Sequence, residues 1–145
     1  MKYINLLLLI VLMSCSKDES TIETPDPVIE APVQNLQVVK TGKFNGANGY
    51  PSNGSGSLSK DAKGKYYIVL ENDFTTSFAT GSVTMYLSAT PLPDFNNTTS
   101  YIKLAVINKK GYHAFPLDGM PDDKLNNIVV WCQPAGVKFG HAEIK

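Results

Sequence analysis

Arginine is absent from this chain of 145 residues: all 13 basic side chains are lysine, set against 13 acids. Without a guanidinium there is no two-pronged donor for phosphate or carboxylate. With a formal net charge of zero there is no cationic surplus to hold a nucleic acid. Cysteine is scarce as well. Only Cys15 and Cys132 occur, and no Cys-x-x-Cys-His run exists, which excludes covalent c-type haem at the motif level. The glycines from Gly46 to Gly56 lack the Gly-Lys-Ser/Thr ending of a phosphate loop, and no helical pattern follows them. Sustained helical periodicity and internal repeats are both missing. Asp118, Asp122 and Asp123 are too few for a calcium loop. No serine stands at a telling distance from a histidine. A nucleotide enzyme and a motif-bearing hydrolase are therefore disfavoured.

What is present begins at the N-terminus. Leu6 to Met13 is an apolar run shorter than the roughly 20 residues needed to span a bilayer. It ends in Leu12-Met13-Ser14-Cys15, which resembles the bacterial lipobox. That resemblance implies a signal peptide over residues 1–14, and lipid attachment (diacylglyceryl and palmitate) at Cys15. The expected partner is then a lipid bilayer, and the compartment is the cell envelope. Ser16-Lys17-Asp18-Glu19-Ser20 resembles the acidic signal that sends some lipoproteins of the outer membrane to the cell surface; the alternative is a periplasm-facing position. Residues 15–35 read as a flexible acidic linker. From residue 16 they hold five acids and one lysine, with Pro25, Pro27 and Pro32, a composition that cannot bury enough apolar surface to order itself. Fully extended, the linker reaches roughly 60–70 Å.

Residues 36–145 read as one all-β domain, a sandwich or barrel of about eight short antiparallel strands. Candidate strands are 36–44, 55–60, 65–70, 82–88, 101–107, 111–117, 127–132 and 137–144. Asp61-Ala62-Lys63-Gly64 is a tight turn, and Asn45 to Gly54 is turn chemistry throughout. In 82–88, Val83, Met85 and Leu87 alternate with Thr84 and Tyr86. The strands 101–107 and 111–117 read as a hairpin across Asn108-Lys109-Lys110, and Asp118 to Leu125 as one helical turn. Three glycosylation-type triplets, beginning at Asn53, Asn96 and Asn97, read as polar loops.

Asn127-Ile128-Val129-Val130-Trp131-Cys132 is the densest apolar run beyond the leader and reads as a buried central strand. It carries the single tryptophan and a cysteine with no intramolecular partner, which is either buried or used. If Pro134-Ala135-Gly136 is a three-residue loop with Gly136 left-handed, Cys132 pairs with Lys138, Trp131 with Phe139, and Val129 with His141. Cys132 then shares a face with Val130, Lys138, Gly140 and Ala142, while His141 lies on the other face. Lys138 beside the sulfur would favour the thiolate; a buried sulfur would be a small hydrophobe. Non-covalent haem needs one or two axial ligands, and His113, His141, Met85, Met120 and Cys132 are donors of the right type.

Val129-Val130-Trp131-Cys132 with Gly136-Val137-Lys138-Phe139-Gly140-His141-Ala142-Glu143-Ile144 resembles the C-terminal signature of the electron-transfer DM-thirteen domain, a module that accompanies DOMON domains. Gly42-Lys43-Phe44, Gly54-Ser55-Gly56-Ser57-Leu58, Leu70-Glu71-Asn72-Asp73-Phe74 and Tyr86-Leu87-Ser88 fit it too, so the likeness spans about residues 40–145. It implies redox activity through the cysteine, as a bare thiol or by holding a group such as haem, and it maps onto Cys132. Two departures stand out. The family's early glycine segment commonly carries a histidine, near whose place Tyr50-Pro51 stands here, and the segment before the Tyr-Leu-Ser strand, often Gly-Pro-Asp, is Gly81-Ser82-Val83. The expectation is an extracytoplasmic redox or electron-transfer module acting through Cys132 with an unidentified redox partner. The alternative is a surface binding or adhesion module with a structural cysteine.

Overall fold

The computed structural model describes residues 32–145. The expected signal peptide, the Cys15 attachment point and most of the linker lie outside the described residues. No helix occurs among those described, so the expected turn of helix at 118–125 is absent and that stretch is a chain of bends and turns.

Ten strands form in chain order: β1 (Gln37–Gly46), β2 (Ser52–Asn53), β3 (Ser55–Lys60), β4 (Tyr66–Leu70), β5 (Thr75–Thr76), β6 (Val83–Ser88), β7 (Tyr101–Ile107), β8 (His113–Leu117), β9 (Asn127–Cys132) and β10 (Val137–Glu143). Eight of them make one antiparallel, barrel-like sheet in the order β7-β6-β9-β10-β1-β3-β4-β8, and β2 pairs with β5 apart from it. β1 joins the two halves. Its first part, as far as Lys43, pairs with β3, and Phe44 to Gly46 pair with β10.

The expected hairpin of 101–107 with 111–117 does not form. β7 pairs with β6 and β8 with β4, so Asn108 to Tyr112 crosses between opposite edges of the sheet. Edge position also explains Pro116 within β8, since proline has no N–H to give to a further strand.

The inward residues alternate as the pleat requires. Val83, Met85 and Leu87 of β6, Ile128, Val130 and Cys132 of β9, and Ile68 and Leu70 of β4 share one core with Phe74, Phe115 and Phe139. β6 and β9, however, are buried on both faces. Tyr86, Val129 and Trp131 form a second cluster on the outside of the sheet, and Tyr101 packs on it. Phe95, on the β6–β7 connection, lies edge-on to Tyr86, Tyr101 and Trp131, with centroids 5.4, 5.5 and 5.0 Å away. The connection is held over the sheet by its own hydrogen bonds, Ser100 Oγ to Asn97 O (2.7 Å) and Asn96 N to Asp94 Oδ1 (3.0 Å). That cover is why a strand in an antiparallel sheet reads as an unbroken apolar run.

Candidate functional site

The β9–β10 hairpin sets the surroundings of Cys132. Its loop is one residue longer than expected: Cys132 pairs with Val137 and Trp131 with Lys138. Gly136 does take the left-handed conformation (φ +63°), and its N–H donates to Gln133 O. A bulge then adds one residue to β10 between Lys138 and Gly140. The extra residue cancels the longer loop, so His141 pairs with Val129 as expected.

Between loop and bulge the side chains are reassigned. Phe139 does not meet Trp131; it drops into the core, fully buried, and its ring stacks on Tyr50 at 3.9 Å. Tyr50 is thus a packing residue beside β10. Lys138 follows Trp131 to the outer face and is not beside the sulfur. Nor is the space at Gly140 open. A Cβ there would meet Ser52 Cβ at 2.5 Å and Asn45 O at 2.6 Å, so glycine is needed for the approach of β2, whose Ser52 Oγ donates to Phe139 O (3.1 Å).

Cys132 is a free thiol, wholly buried, in the core cluster that holds Val130, Ile128 and Ala142. Its Sγ lies 3.3 Å from Thr80 Oγ1, and with the Thr80 proton given to Ser82 O the thiol is the donor. Thr80 is exposed and belongs to the turn Phe78–Ser82, closed by Gly81 N–H donating to Phe78 O (2.8 Å) and by Thr80 Oγ1 donating to Ser82 O (3.3 Å). Chemically this is a shielded thiol one side chain below the surface. Nothing in the sequence marks Thr80 as its cover, because the two are 52 residues apart.

The other donors do not gather around it. His141 sits on the outer face beside Val129, half-buried, with Nδ1 buried and unpartnered. Its pKa is lowered from 6.5, first by burial and then by the Lys138 charge, against a smaller opposing effect of Glu143. His113 begins β8, paired with Leu70. Met120 is exposed on the β8–β9 connection, and Met85 is packed in the core. Among the described residues no three His, Cys, Asp or Glu side chains converge on a metal-sized site, and that covers Asp118, Asp122 and Asp123. The Cys132 sulfur is wholly buried in the apolar core with Thr80 Oγ1 beside it, and His113, His141 and Met120 stand elsewhere, so the residues present do not fit haem against that sulfur.

No curated protein and no solved structure matches the chain. A family model does, that of Electron transfer DM13, over residues 43–144. The matched span runs from the last part of β1 through the hairpin that buries Cys132. The chain belongs to the Electron transfer DM13 family, whose general role is electron transfer or redox chemistry.

Proposed function

We propose that the chain is a membrane-anchored extracytoplasmic redox module whose working group is the Cys132 thiol, held shut beneath the turn Phe78–Ser82. The observation that carries this reading is the depth of the sulfur. It is wholly buried, yet the hydroxyl 3.3 Å away belongs to an exposed residue. Apart from that contact, the hydrogen bonds of the turn are local, among Ser77, Phe78, Ala79, Thr80, Gly81 and Ser82. Beyond these bonds the turn is held by Phe78, which packs part-buried on the core, and a segment held by its own bonds and one ring opens at a fraction of the cost of unfolding the domain.

Once the turn opens, the fitting chemistry is exchange with a disulfide-bearing partner. The thiol gives its proton to solvent. Its sulfur bonds to one sulfur of the partner's disulfide, that S–S bond breaks, and the departing sulfur takes up a proton. Cys132 is oxidised and the leaving thiol reduced. No second cysteine exists in residues 32–145, so the mixed disulfide is resolved by a thiol from outside the domain. An envelope location supplies disulfides, and lipid attached at Cys15 would hold the module in the outer membrane, facing the cell surface or the periplasm.

The test is to incubate the full chain, in detergent and without denaturant, with glutathione disulfide and to follow intact mass. One glutathione on Cys132 is expected. An adduct that forms only in denaturant would overturn the proposal. It would favour the second reading, a surface binding or adhesion module with a structural cysteine, which the placement of Cys132 among Ile128 and Val130 supports.

A further inference from the structure

Away from the cysteine, the first described residues are strapped across the outside of the sheet. Val33 and Leu36 pack on Tyr67, Val69 and Ala114, a small apolar cluster on the outer face of β4 and β8. Tyr112 packs there as well, and its hydroxyl accepts from Val33 N–H (3.0 Å). One residue earlier, Pro32 lines a cleft of about 260 Å³ whose wall also holds Tyr112 and the exposed Lys110. The chain that precedes Pro32 therefore starts out from this cleft.

That preceding stretch is Val28-Ile29-Glu30-Ala31, which lies outside the described residues. Proline disfavours a helical residue before it, so Ala31 is extended. In an extended chain, residues two apart share a side. Glu30 and Val28 thus fall on the side of Pro32, the side of the cleft, and Ile29 and Ala31 on the other. Two residues of chain keep the Glu30 Cα within about 7 Å of the Pro32 Cα. The charges are complementary on a larger scale too. Residues 16–31 carry five acids and one lysine, and residues 36–145 carry 11 lysines and eight acids. An isolated exposed ion pair holds little. Here one partner is delivered by a chain anchored two residues away, so few residues must be ordered to close the contact.

We propose that this cleft is the docking site of the chain's own segment 28–31. The Glu30 carboxylate pairs with Lys110, and Val28 continues the apolar contact made by Pro32. Docking shortens the free stalk to residues 16–27, whose reach is roughly 40 Å against roughly 55 Å for residues 16–31. With lipid at Cys15, the strap holds the domain nearer the bilayer, with the β4–β8 face turned toward the stalk. That consequence rests on the anchoring proposed above; the docking itself is independent of it and of Cys132.

The test is backbone amide relaxation by NMR on the full chain in detergent. The amides of Val28 and Glu30 should have order parameters above about 0.6, with lower values in residues 18–24. Lys110→Glu should drop Glu30 to the level of residues 18–24, and adding Glu30→Lys to that variant should restore its order, which damage to the fold could not do. Val28→Ser should loosen the segment, and Ile29→Ser, on the opposite side, should leave it ordered. Carbodiimide, which joins a carboxylate to an amine, should link Glu30 to Lys110 within single chains. Glu30 as loose as residues 18–24 in the unaltered chain would overturn the proposal, as would order unchanged by Lys110→Glu. A Glu30–Lys110 link found only between chains would also overturn it and assign the cleft to the segment of a second copy.

Discussion

The two faces of β9 are equally dry but differently built. Inward, Ile128, Val130 and Cys132 meet the apolar residues of the whole sheet. Outward, Val129 and Trp131 pack with Tyr86 and Tyr101, and Phe95 of the β6–β7 connection lies edge-on to Trp131. Buried polar atoms without partners are found outside: Asn127 Oδ1 and His141 Nδ1. The inner face is the interior of the domain, where a defect is felt by every strand. The outer face is a capped surface, where a defect is felt by its cap. The thiol on the inner face is wholly buried, with Thr80 of the Phe78–Ser82 turn against it and Phe78 packed on the core beside it.

The contrast can be broken in order of expected size. Phe139→Ala, which empties a fully buried inward position, should cost about 3–5 kcal/mol in urea unfolding. Gly140→Ala should cost about 1–3 kcal/mol, because the new methyl would strike Ser52 and the Asn45 carbonyl at the bulge. Phe95→Ala should cost only about 1 kcal/mol, since the ring is 40% exposed and loses mainly its edge-on contacts. It should also redden Trp131 fluorescence by admitting water. If Phe95→Ala proves as damaging as Phe139→Ala, the outer face is a second core and the distinction fails.

The smallest effect is one of pH. His141 has its native pKa below the unfolded value of 6.5. Above that value both states are neutral, and the stability it contributes is fully present. As pH falls from 6.5 toward the lowered native value, the unfolded chain takes up a proton that the native chain refuses, and stability declines. His141→Gln should flatten that part of the curve of unfolding free energy against pH.

Much of the strand pattern was legible because burial follows the pleat: Val83, Met85 and Leu87 point inward as their alternation requires. The run at 127–132 declared a central strand, and its six residues are all buried. Pairing was less legible. Strands 101–107 and 111–117 are joined by a hairpin-sized linker, yet each finds its partner elsewhere, since edge pairing is decided by long-range packing. The hairpin carrying Cys132 departs by one residue from three-residue-loop pairing near its loop. The Phe139 bulge that restores the register has no local sign beyond Gly140, whose small size serves the contact with Ser52. That slip moved Lys138 away from the sulfur and brought Phe139 into the core. Thr80, which covers the thiol, left no trace in the sequence at all.

Labelling kinetics separate a Cys132 reached by opening of the Phe78–Ser82 turn from one reached only by unfolding. The rate of maleimide labelling of Cys132 in the full chain should be followed across low urea concentrations, beside global unfolding of the same sample. Opening of the Phe78–Ser82 turn lifts one part-buried ring off the core and exposes far less surface than unfolding, so the labelling rate should depend on urea much more weakly than global unfolding does until that takes over. Thr80→Gly should raise the rate in that range. A labelling rate that follows the full urea dependence of unfolding from the outset, unchanged in Thr80→Gly, would contradict the account and leave Cys132 a structural residue of the core.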